Sequence, residues 1–129
     1  MKDLCTKKYL CSTFVRASSL HQAGFRAKFN INAAGYLNFT DEQMRRAGLN
    51  LPITNNPKPG DIVSGGPKTA RKQDDAHTGI FIGNGLYVGQ SPQEDTYEIT
   101  GDKKGSTIKI RPVARMPYSR IIYRSTESL

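Results

Sequence analysis

A chain of 129 residues has the length of one domain, and folding at that size buries roughly two-thirds of the unfolded surface, enough for a single core. Hydrophobic residues make up 36%, and the longest apolar runs, such as Ile80 to Ile82, fall far short of the about 20 residues that span a bilayer, which excludes transmembrane insertion. Nineteen Lys and Arg against eleven Asp and Glu give a net charge of +8, so the expected partner is anionic: nucleic acid, anionic lipid or an acidic wall polymer.

Met1 to Cys11 carries Lys2, Asp3, Lys7 and Lys8 and no apolar h-region, so no cleavable signal peptide is expected. The first helix is predicted from about residue 12 to residue 22, with Phe14, Val15 and Leu20 apolar and Gly24 as its stop. Ala33 to Phe39 reads either as a substrate-groove wall or as ordinary core and loop, with Tyr36 and Phe39 its residues of interest. Thr40 followed by Asp41, Glu42 and Gln43 is a capping-box pattern, opening a short helix through Arg46 that Gly48 closes.

From Pro57 the pattern becomes β. Strands are predicted at Asp61 to Val63, His77 to Ile82, Leu86 to Gly89, Thr107 to Arg111 and Arg120 to Arg124, with a hairpin turn at Gly83-Asn84-Gly85. Ser64 to Asp75 is polar and glycine-containing, a surface loop. Helices first and antiparallel strands afterwards predict an α+β domain, 1–129 as one unit. Neither GxGxxG nor GxxxxGKS occurs, which removes the dinucleotide and P-loop alternatives.

Two cysteines, Cys5 and Cys11, cannot build a disulfide framework, and with two histidines no zinc-ligand spacing exists, so neither metal nor cofactor is expected. Thiol chemistry therefore has four candidates. A thiol with a pKa of about 8.5 becomes a nucleophile when a helix N-terminus and an imidazole lower that value. Cys11 has the helix start by sequence, and the amides there would also bind an oxyanion. His77, opening a strand that packs back on the helices, would supply the imidazole. Taken singly, Cys11 also reads as a small buried hydrophobe and His77 as a strand-edge histidine. His21 reads as a charge complementing the C-terminal end of its helix, and Cys5 as a bystander thiol.

Cys11-Ser12-Thr13-Phe14-Val15-Arg16 resembles the C-S-x-F-V opening of the catalytic helix in the NlpC/P60 cysteine peptidases, to which the CHAP amidases are related. Pro57-Lys58-Pro59-Gly60-Asp61-Ile62-Val63 is similar to the P-x-P-G-D strand start of that superfamily, and His77 to Gly85 to its H-x-[GA]-I-[YF]-[ILV]-G-[ND]-G hairpin. Lys109 to Arg124 resembles the closing strands. The resemblance implies a papain-like core, N-terminal helices packed on an antiparallel sheet, with Cys11 and His77 catalytic. It also implies a third polar residue about a dozen positions past the histidine, which holds the imidazole by one nitrogen. The chain there reads Val88-Gly89-Gln90-Ser91, and Gln90, whose amide oxygen can accept from a ring N–H, is the candidate, with Glu94 and Asp95 in reserve. Leu10 stands where many relatives carry Asp or Gln, with Tyr9 as a substitute beside the thiol; Tyr9 and Ser12 are the flanking candidates for substrate contact.

The resemblance implies thioester-mediated cleavage of an amide in a peptidoglycan stem peptide, by an antibacterial effector, toxin or lysin expected to act as a monomer. Lys68, Arg71 and Lys72, just before His77, are candidates for contact with an acidic stem or else solvated loop charges. Delivery to the periplasm or wall would use a phage, an injection machine or a larger toxin, and a toxin would have a cognate immunity protein. Two other readings remain: a papain-like deamidase or protease acting on a host protein, and a basic binding module without catalysis. Dispersed aromatics and the lack of a nucleic-acid motif weigh against nucleic acid as partner.

Overall fold

A computed structural model of the chain describes residues 31–71, 76–91 and 107–129. Helix α1, Ala33–Asn38, is followed by α2, Asp41–Arg46, and six strands complete the described chain: β1 Ile53–Thr54, β2 Ile62–Gly65, β3 His77–Gly83, β4 Leu86–Ser91, β5 Thr107–Pro112 and β6 Ile121–Arg124. They form one sheet in the order β1-β6-β2-β3-β4-β5, with antiparallel neighbours throughout. The fold is thus mixed, short helices with an antiparallel sheet. The helix expected over 12–22 lies outside the described residues.

Helix α2 forms as its sequence dictates. The Thr40 side chain accepts from the Gln43 amide and the Gln43 side chain accepts from the Thr40 amide, closing the capping box, with Asp41 and Glu42 in the positive first turn. At the other end Gly48 takes φ +95°, its N–H donates to Arg45 O and that of Leu49 to Met44 O, the pair of bonds of a Schellman stop. Helix α1 was not anticipated as a helix. It is six residues long, capped by the Asn32 side chain accepting from Gly35 N, and Gly35 lets it approach its own N-terminal flank: a Cβ there would stand 2.7 Å from Ile31 Cγ2.

Strand alternation sorts the sheet residues between two faces. On one face Ile62, Ile80 and Val88 join Ile31, Tyr36, Met44, Leu49 and Leu51 in the core under the helices, while Ile122 packs against Ala33, Ala34, Leu37, Ala70 and Ala76. On the other, Val63, Phe81 and Tyr87 pack with Val113 and Met116, carried over the sheet by a 3-10 turn at Val113–Arg115.

Arg124, 0% exposed, ties the helical layer to β6. Its Nε donates to Tyr36 O at 2.6 Å and Nη1 to Leu51 O at 3.0 Å; Nη2 donates to Phe39 O, and Asp41 Oδ1 lies 3.6 Å from Nη1. Burial pushes this guanidinium down to about 10, with Asp41 opposing, so it stays charged at neutral pH. Asp61 plays the corresponding part in the Pro57–Val63 block. Its carboxylate accepts from Lys58 N at 2.8 Å and from Thr126 N and Oγ1 at 3.0 and 3.2 Å, so the segment before β2 and the one after β6 share one acceptor.

Candidate functional site

The hairpin expected at Gly83-Asn84-Gly85 is present. Asn84 and Gly85 have φ of 53° and 71°, the left-handed pair that a tight two-residue hairpin requires and that Asn and Gly adopt at least cost. A register shift between Phe81 and Gly83 accommodates the turn. The hairpin fixes which side of the sheet each residue of the His77 block takes.

His77 opens β3 and pairs with Gly65 of β2. It is 6% exposed and lies on the face carrying Val63, Phe81 and Tyr87. Next to it, Thr78 turns to the helix face, where its hydroxyl meets Ser64 Oγ at 2.9 Å and donates to Val63 O at 3.0 Å. The two described helices therefore pack on the face opposite the imidazole. The ring of His77 meets that of Tyr87 edge to face, centroids 5.6 Å apart and planes at 69°. A Cβ on Gly89 would stand 3.6 Å from His77 Nε2, and one on Gly65 would stand 2.8 Å from Met116 Sδ and 3.0 Å from Tyr118 Cδ2. Gly65 and Gly89 thus leave the strands on either side of His77 without side chains at these positions.

Two cations of β5 share this face by register. Gly89 pairs with Lys109 and Tyr87 with Arg111 on β5, and both cations are buried, at 6% and 4% exposure.

The expected partners of His77 divide into three groups. Cys11, Tyr9 and Ser12 lie outside the described residues, as do Cys5, His21, Lys72, Glu94 and Asp95. Gln90 is placed by its backbone, paired with Ile108 in β4, while its side chain is not among those described. The position twelve past His77 is Gly89, so the strand site from which the family resemblance implied a ring-orienting side chain carries none. Lys68 and Arg71 are exposed, and their loop is held to the helical layer: Asn32 Nδ2 donates to Arg71 O, and Asn38 Nδ2 to Lys68 O and Ala70 O. The structure does not bring them to the face of His77.

On the helical side, a cleft of about 380 Å³ is lined by Ile31, Ala34, Phe39 and Ala70, with Asn38 and Arg71 among its polar residues. In the Ala33 to Phe39 segment Tyr36, 1% exposed, is core, and Phe39 lines this cleft. Sequence reasoning missed Tyr87 and the cations Lys109 and Arg111. The signal available was strand alternation, which puts 87 and 89 on one face and pairs them with 111 and 109. Among the described residues no three His, Cys, Asp or Glu side chains are grouped to hold a metal ion, and no helix is long and apolar enough to cross a membrane. The chain matches no protein-family model, and comparisons with curated proteins and with solved structures likewise return no match.

Proposed function

We propose that the chain is a cysteine hydrolase that cleaves an amide of the peptidoglycan stem peptide, with Cys11 as nucleophile and His77 as its base. The observation that supports the reading is the placement of His77: the first residue of a central strand, buried, in a hairpin whose residues resemble those of the NlpC/P60 enzymes. In the reaction the thiol proton passes to an imidazole nitrogen and sulfur attacks the amide carbonyl. Backbone amides at the start of the helix that follows Cys11 hold the oxyanion. Collapse of the tetrahedral adduct breaks the C–N bond, and the imidazolium returns its proton to the departing amine. Water, deprotonated by His77, then cleaves the thioester, releasing a carboxylic acid and the thiol. The net charge of +8 suits a carboxylate-bearing stem.

The test is digestion of purified peptidoglycan by the wild-type chain, Cys11→Ala and His77→Ala, with fragments identified by mass spectrometry. We expect defined fragments from the wild type only, their masses naming the bond. If the wild type is inert on several wall types yet Cys11 reacts rapidly with iodoacetamide at neutral pH, the substrate is wrong and host proteins replace it. An inert enzyme with an inert thiol overturns the catalytic reading and leaves a basic binding module.

A further inference from the structure

Phe81 of β3 pairs with Tyr87 of β4, and at a strand rise of roughly 3.3 Å per residue the Cα of Phe81 is about 13 Å from that of His77. Yet the rings of Tyr87 and His77 are in contact, 5.6 Å between centroids. The tyrosine ring must therefore lie along the sheet, toward the start of β3, and two glycines make the bed for it. A Cβ on Gly79 would come within 2.7 Å of Tyr87 Cδ2, and one on Gly89 within 3.3 Å of Cε2. The ring fills volume that two side chains would otherwise take, and at 2% exposure it has little freedom to leave it.

We propose that Tyr87 is the positioning residue of His77, holding the imidazole in one orientation by ring contact from the β4 side, where Gly89 offers no side chain to do so by hydrogen bonding. The proposal rests on the hydrolase reading for its catalytic meaning, whereas the positioning itself is a property of the folded chain. Contacts of this geometry are strong enough to favour one ring orientation over its alternatives by about tenfold. Gly79 and Gly89 belong to the device, since either Cβ displaces the ring.

With two histidines in the chain, long-range proton–nitrogen NMR of the labelled full-length protein resolves each imidazole, and His21→Gln assigns them. In the wild type we expect His77 in one predominant tautomer with its ring protons shifted from free-imidazole values by the ring current of Tyr87. Tyr87→Leu removes the shift and mixes the tautomers; Tyr87→Phe keeps both. Gly89→Ala, at a strand position with room for a methyl only if the tyrosine ring gives way, displaces the signals without unfolding the sheet, and so answers the question if Tyr87→Leu fails to fold. Gln90→Ala leaves them in place. On a substrate cleaved by the wild type, Tyr87→Leu lowers kcat about tenfold with KM unchanged. The proposal is overturned if His77 keeps its shift and tautomer in natively folded Tyr87→Leu or Gly89→Ala, if Tyr87→Phe disturbs them as much as Leu, or if Gln90→Ala alone does. Failure of the wild type to cleave any wall substrate would instead sink the hydrolase reading, and the NMR result would stand apart from it.

Discussion

At Arg124 a guanidinium is kept at zero exposure because each of its faces meets an acceptor: Tyr36 O, Leu51 O and Phe39 O, with Asp41 at the rim. Replacing it by Ala strands three carbonyls of the helical layer and opens a void, and should cost about 3 to 5 kcal/mol in urea unfolding. Burial sets the sign of the pH dependence. The folded-state value, about 10, lies below the ordinary arginine value, so the folded chain binds fewer protons than the unfolded one only between those values. The penalty of burying the charge is thus constant at lower pH and fades through that alkaline window, and the cost of Arg124→Ala should be the same from about pH 5 to 9. Lys58 differs in being an exposed ammonium whose value is raised by the hydrogen bond it donates to Glu127; what that pair adds is present below the ordinary lysine value and lost as pH rises through the folded one.

Among the elements, α2 carries its instructions locally, and they can be removed one at a time. Thr40→Ala and Gly48→Ala should each destabilise by about 1 kcal/mol, the first by deleting a cap and the second by forcing an alanine to φ +95°. The pair should add, since the two sites act at opposite ends. The same local character explains what the chain made legible. A capping box, an Asn-Gly turn and alternating strands are short-range signals, and α2 and the strands from β2 onward lie within a few residues of their expected limits. Helix α1 gave no such signal: six residues with an internal glycine and no charge, it is held by packing of Tyr36 and Leu37 and by Arg124 from the far end of the chain. Strand β1, two residues long, has no period to read. Of the candidate site, the strand that opens at His77 was legible. The role of Tyr87 was not, because its contact runs diagonally across two glycines and depends on a register that sequence leaves open.

Across the described residues, distant segments are joined at a few points. Asp61 receives Lys58 from one side and Thr126 from the other, Asn50 Nδ2 donates to Ser128 O, and Leu129 packs on the helical core. Asp61→Ala should cost about 3 kcal/mol, and amide exchange at Thr126 should accelerate before the β3–β4 hairpin loses protection. Strand β6, the last in the described chain, sits between β1 and β2 in the sheet. A polypeptide emerging from the ribosome can close the β3–β4 hairpin from neighbouring residues, but it has no partner for β1, and no donor for the carbonyls of Tyr36, Phe39 and Leu51, until Arg124 arrives. Until then the helical layer lacks the residue that ties it to the sheet, so its assembly waits on the end of translation of this segment, and chains stalled before Arg124 should be the ones that chaperones and proteases meet.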